Sequence, residues 1–293
     1  MKSFGRILTA MVTPFHQDGA VNYEAAAKLA EYLIQNGSDG LVVAGSTGEA
    51  ATLNREEKLQ LFKVIVDAVG NKAVVIAGTG SNDTLASVEL TKAAEKTGVH
   101  GVMLVGPYYN KPPQEGFYQH FKTIAQSTTL PVVIYNVPGR TASNILPSTI
   151  IRLAEIDNIV AVKEASGKLD QFAEIIQATS PDFMVYSGDD ALTLPSLAIG
   201  SQGIISVAAH VAGNPMKRMV DAFFDGDMAT ARKLHLALLP VFKGMFFVTN
   251  PIPVKTAVNL LGLNAGPFRL PLVNATEQEV ARIQEVLNIV KTI

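Results

Sequence analysis

Eight short apolar runs recur along the first two thirds of the sequence, and their spacing limits the fold more than any other feature. They are ILTAMVT from Ile7, GLVVAG from Gly40, AVVIAGTG from Ala73, GVMLVG from Gly101, PVVIYNV from Pro131, IVAVKEA from Ile159, FMVYSGD from Phe183 and GIISVAA from Gly203. Each has strand length and is followed by a longer stretch of helix-like periodicity, the alternation expected of βα units around a parallel sheet. Spacings of roughly 20 to 35 residues hold a strand, a helix and two loops, and eight such units predict a closed (β/α)8 barrel, a TIM barrel. An open doubly wound sheet is the alternative. Its nucleotide fingerprint G-x-G-x-x-G is missing, because GTGSND after the third run supplies only the first two glycines.

Beyond about Gly213 no comparable strand run occurs. DMATARKLHLALLPVFKGMFF and TEQEVARIQEVLNIVKTI read as amphipathic helices, the second with Thr276 as N-cap and Glu279 completing a capping box. The expected division is therefore a catalytic barrel over 1–212 and a C-terminal helical domain over 213–293. The 293 residues suffice for a large core, and 48% hydrophobic against 17% charged residues indicates a globular chain. A net charge of -2 gives no electrostatic reason to expect nucleic acid or an anionic membrane as partner. The absence of cysteine excludes disulfides, thiolate metal sites and cysteine nucleophiles. The N-terminal apolar run Ile7 to Val12 is too short for a signal peptide, and nothing approaches the roughly 18 apolar residues of a membrane span. A soluble cytoplasmic protein is expected.

In a barrel the chemistry collects at the C-terminal ends of the strands. There the sixth run carries Lys163, a cation inside a β-branched stretch. Lost hydration would lower its pKa from about 10.4 and free a neutral amine to attack a carbonyl, the chemistry of a Schiff base. The competing reading is a lysine that snorkels to the rim or pairs with Glu164, although adjacent strand residues point to opposite faces. Tyr135, ending the neighbouring fifth run, could shuttle protons to a substrate held on Lys163, or be a core tyrosine. Ser46 and Thr47 offer hydroxyls, and Gly45 and Gly48 would let backbone N–H groups approach a carboxylate, unless GSTGE is only a strand-to-helix turn. Arg140, after a Pro-Gly turn, could hold a second carboxylate or lie on the surface. Asp189 and Asp190 read as caps of the next helix rather than metal ligands, and the five histidines show no ligand spacing, so no metal is expected.

The motifs TAMVTPF, GSTGEA, GTGSN, PYYNKPPQEG, YNVPGRT, VKEASG, YSGDDAL, GIISVAAH and NPIPVK, in this order, resemble those of the dihydrodipicolinate synthases. These belong to the pyruvate-dependent class I aldolase family that also includes N-acetylneuraminate lyase. The resemblance covers essentially the whole chain. It implies that Lys163 forms an imine with pyruvate, whose enamine attacks L-aspartate 4-semialdehyde on the route to diaminopimelate and lysine, with no cofactor. It implies that Tyr135 shuttles protons, relayed by Ser46 and by Tyr109 of a neighbouring subunit. Thr47 would contact the pyruvate carboxylate, Gly188 and Ile205 would contribute backbone groups, and Arg140 would receive the aldehyde's carboxylate. A homotetramer built as a dimer of dimers is implied. Ser46 departs from the synthases' usual threonine and is shared with the neuraminate lyases, so a sibling aldolase acting on a sugar-derived 2-oxo acid is the alternative. A non-catalytic sensor on the same barrel would have lost a catalytic group, and none is missing. In lysine-sensitive relatives the effector meets groups matching Tyr108 and Asn82. Ala86 replaces a carboxylate there, and Arg55 and Lys58 replace histidines, so weak or absent lysine feedback is expected.

Overall fold

In the computed structural model, which describes residues 4–293, every one of the eight apolar runs is a strand. They are β1 (Ile7–Ala10), β2 (Gly40–Val43), β3 (Val74–Gly78), β4 (Gly101–Val105), β5 (Val132–Asn136), β6 (Ile159–Glu164), β7 (Met184–Ser187) and β8 (Gly203–Ser206). All pair in parallel with their sequence neighbours, and β8 returns to β1, which closes the barrel. The connections carry α1 (Tyr23–Gln35), α2 (Arg55–Val69), α3 (Thr84–Glu95) and α4 (Gln114–Ala125). They continue with α5 (Pro138–Thr141), α6 (Pro147–Leu153), α7 (Leu169–Ala178), α8 (Thr193–Ile199) and α9 (Ala209–Phe224).

The strands are apolar throughout because both faces are covered. Leu8, Val42, Ile76, Met103, Val133 and Ile205 fill the barrel interior, while Leu41, Val43, Val75, Ala77 and Ile204 pack outward against the helices. One irregularity decides where the chemistry goes. Val132 lies opposite Ile159, but Val133 lies opposite Ala161, so Val160 is an extra residue in β6. Val160 and Ala161 both face the interior, and the alternation beyond them is inverted: Val162 joins the outer cluster. A strict two-residue alternation from outward-facing Ile159 would have turned Lys163 toward the helices. The bulge turns it into the barrel.

The C-terminal segment is helical, as its sequence indicates. At Ala212 the helical geometry of α9 breaks (φ -130°, ψ 26°), three residues before Pro215. Then follow α10 (Met228–Gly244), α11 (Ile252–Leu260) and α12 (Glu277–Val290). The capping box of α12 is formed as read, Glu279 N–H donating to Thr276 Oγ1 and Thr276 N–H to the Glu279 carboxylate. Two cations anchor this segment to the barrel mouth. Lys255 of α11 is fully buried, with Nζ 2.7 Å from Glu49 Oε1 and 4.0 Å from the centre of the Phe15 ring. Arg269 donates to the Glu57 carboxylate and to the Thr52 carbonyl, and its own N–H donates to Glu49 Oε2. No helix among the described residues is long and apolar enough to cross a membrane.

Candidate active site

Lys163 and Tyr135 sit side by side at the end of adjacent strands, in register. Lys163 Nζ lies 4.2 Å from the centre of the Tyr135 ring, and the two residues are 4% and 6% exposed. Burial drives the Lys163 pKa down from 10.5 to about 7, the nearby Asp190 charge opposes this, and Arg140 adds to it. Burial also raises the Tyr135 phenol to about 12 against the pull of Arg140, so at neutral pH it is a proton donor.

Glu164 does not pair with Lys163. It points to the opposite face, where Asn136 Nδ2, Gln171 Nε2 and the Ser166 N–H donate to its carboxylate at 3.0, 2.9 and 2.6 Å. Asn136 Oδ1 in turn accepts from the Ile145 N–H. This network locks the ends of β5 and β6 together and so fixes the strands that carry Tyr135 and Lys163. A second lysine within an apolar stretch, Lys255, provides the contrast. Its partner Glu49 keeps it a buried ion pair, whereas Lys163 has no carboxylate within 4 Å among the described residues.

The GSTGE segment forms the turn after β2. The N–H groups of Gly48, Glu49 and Ala50 close it on the carbonyls of Gly45 and Ser46, and those of Ser46 and Thr47 lie outside these bonds. Gly48 sits in a tight space: a Cβ there would stand 3.0 Å from the Met11 carbonyl oxygen and 3.2 Å from Thr13 Oγ1. Thr47 is buried, and its Oγ1 accepts from Asn250 Nδ2 at 2.9 Å. Arg140 belongs to α5, a single helical turn rather than the Pro-Gly turn read from the sequence, and Pro138 at its start pre-sets that geometry. Its Nη2 donates to the Asn250 carbonyl at 2.8 Å. No hydrogen bond joins Tyr135 to Ser46.

Gly188 lies against the lysine. A Cβ there would come within 3.0 Å of Lys163 Cε and 2.8 Å of the Ala165 Cβ, so a side chain at this position would crowd the lysine. Ile205 of β8 is buried in the interior cluster. Asp189 caps the short helical turn after β7 by accepting from the Ala191 N–H, as its sequence position indicates. Asp190 differs: it reaches β8 instead, accepting from Ser206 Oγ and from the N–H groups of Val207 and Ala208. Burial raises its pKa to about 6. Tyr109 is not in this group. It is 88% exposed, with φ +71°, and projects from the loop after β4. His210 Nε2 accepts from the Val12 N–H and its Nδ1 faces the Val207 carbonyl, so this ring is a neutral structural bridge, and burial lowers its pKa to about 4.

A (β/α)8 barrel with an unpaired buried lysine at its mouth and a phenol against it has the makings of a Schiff-base aldolase. The comparisons with known proteins give the narrower class. The family model described as the dihydrodipicolinate synthetase family matches residues 3–290, and the chain belongs to that family. The 4-hydroxy-tetrahydrodipicolinate synthase of Desulforamulus reducens is 58% identical over 286 residues, covering 97% of each chain. That of Moorella thermoacetica is also 58% identical, over 284 residues, at 97% of each chain. Among solved structures, the dihydrodipicolinate synthase of Bacillus anthracis superposes with a TM-score of 0.96 at 52% identity, over 98% of this chain and 99% of that one. The enzyme from Cyanidioschyzon merolae, solved with lysine bound, gives 0.97 at 48% identity over 99% of both.

Proposed function

We infer that this chain condenses pyruvate with L-aspartate 4-semialdehyde to give 4-hydroxy-tetrahydrodipicolinate, in lysine and diaminopimelate biosynthesis. The observation that carries the reading is the Lys163 amine, buried and unpaired beside Tyr135 in a chain that matches such synthases nearly end to end. With a pKa of about 7, half of this amine is neutral at pH 7. An ordinary lysine is roughly a thousandfold less available. The neutral amine attacks the pyruvate carbonyl, and loss of water leaves an imine. Proton loss from its methyl carbon gives an enamine, which attacks the aldehyde carbon; the aldehyde substrate's amino group then displaces Lys163 from the resulting imine, which closes the ring and frees the lysine.

Tyr135, protonated at neutral pH, donates to the carbinolamine oxygen as water leaves. Ser46 and Tyr109 relay the proton, Tyr109 reaching the site of a neighbouring subunit; its exposure on the loop after β4 supports this. The Thr47 hydroxyl and backbone groups at Gly188 and Ile205 hold pyruvate, and Arg140 takes the aldehyde substrate's carboxylate. The active form is a homotetramer, a dimer of dimers, in the cytoplasm. Residues 1–212 form the catalytic barrel and 213–293 a helical domain, divided where α9 loses helical geometry. Feedback by lysine is absent or weak, because Arg55, Lys58 and Ala86 stand where lysine-sensitive relatives place histidines and a carboxylate.

A coupled assay tests the activity. Turnover of pyruvate with aspartate semialdehyde is expected, and turnover only of N-acetylneuraminate or 2-keto-3-deoxy-gluconate would favour the sibling-aldolase reading that Ser46 motivates.

A further inference from the structure

Asn250, in the segment between α10 and α11, is joined to two residues proposed to hold the two substrates. It is 6% exposed; its carbonyl accepts from Arg140 Nη2 and its Nδ2 donates to Thr47 Oγ1. Its Oδ1 is buried without a partner among the described residues. A threonine hydroxyl has one proton and two lone pairs. By filling a lone pair, Asn250 Nδ2 leaves the Thr47 proton free for an anion. With the amide reversed, Oδ1 would take that proton, Thr47 could only accept, and a carboxylate ligand would meet lone pairs.

We infer that Asn250 is a positioning residue that sets the direction of the Thr47 hydroxyl, keeping it a donor toward the carboxylate of pyruvate, while its main-chain carbonyl holds Arg140. The inference rests on the assignment of Thr47 to pyruvate made above. It gives the helical C-terminal segment a part in substrate binding, through a side chain for pyruvate and a carbonyl for the arginine.

Three variants test it: Asn250→Asp, Asn250→Ala and Thr47→Val, assayed by initial rates with each substrate varied at saturation of the other. Aspartate can only accept, so it takes the Thr47 proton, and half-saturating pyruvate rises about tenfold or more, as for a lost hydrogen bond to a charged group. Alanine leaves the hydroxyl free to turn and costs about threefold or less. Half-saturating aldehyde moves little in either, because Arg140 is held by the main chain. In the Thr47→Val background Asn250→Asp adds less than about threefold. A full tenfold effect there would assign the loss to charge repulsion and overturn the inference. So would an alanine variant as impaired as the aspartate one, which would indicate packing alone. Should Asn250→Asp fail to fold, Asn250→Ala still decides: a rise in half-saturating pyruvate of about tenfold or more would overturn the inference, and about threefold or less would support it. Borohydride trapping of pyruvate on the unaltered protein separates the two levels. Without an adduct on Lys163 the proposed function fails, whereas an adduct with unchanged pyruvate saturation in Asn250→Asp refutes this inference only.

Discussion

Lys163→Met should make the protein more stable and inactive, and the gain should depend on pH in a defined direction. Methionine is similar in length and apolar, and it can lie against Tyr135 and Gly188 where the lysine does. The lysine pKa falls from 10.5 to about 7 on folding. Between these values the unfolded chain binds more protons than the folded one, so stability rises with pH across that window, and the full cost of burying the amine is felt below pH 7. At about 1.36 kcal/mol per pH unit the cost is about 4–5 kcal/mol at pH 6 and shrinks to ~1–2 kcal/mol near pH 9.5. Urea unfolding of both proteins at the two pH values measures it. The methionine variant should show the higher midpoint at pH 6, with the margin narrowing at pH 9.5. A variant less stable than the parent at pH 6, or a margin that does not change with pH, would refute the reasoning.

Tyr135→Phe keeps the ring packed against Lys163 and removes the acid, so turnover should fall on the order of a hundredfold or more while the melting temperature stays close to that of the parent. Arg140→Ala should raise half-saturating aldehyde far more than half-saturating pyruvate. It also removes a cation that lowers the Lys163 pKa, so the acid limb of the pH–rate profile should move to higher pH; equal effects on both substrates would misplace the arginine. Initial rates at saturating pyruvate should be unchanged by submillimolar L-lysine, and half-inhibition in that range would contradict the reading of Arg55, Lys58 and Ala86.

The barrel was legible because strands buried on both faces spell continuous apolar runs, and each of the eight runs is a strand. Lys163 was legible for a related reason: a charge inside such a run breaks the pattern. The direction of its side chain was not, because it depends on the single extra residue at Val160, and a bulge leaves no mark in a run of β-branched residues. Asn250 was not legible either, since its partners lie 203 and 110 residues away in sequence. Asp190 reads as a cap from its local context, yet the groups that donate to its carboxylate are on β8 and at Ala208, just before α9. Lys255 shows the limit of the lysine signal. It too lies in an apolar stretch, and only the Glu49 carboxylate at 2.7 Å distinguishes a structural ion pair from a free amine.

The central claim is that Lys163 forms an imine with pyruvate, and reductive trapping tests it most directly. Protein treated with borohydride in the presence of pyruvate, then digested and analysed by mass, should carry one adduct on the peptide containing Lys163. The trapping rate should rise through pH of about 7 and level above it. An adduct on another lysine, an adduct that persists in Lys163→Ala, or none at all would contradict the account.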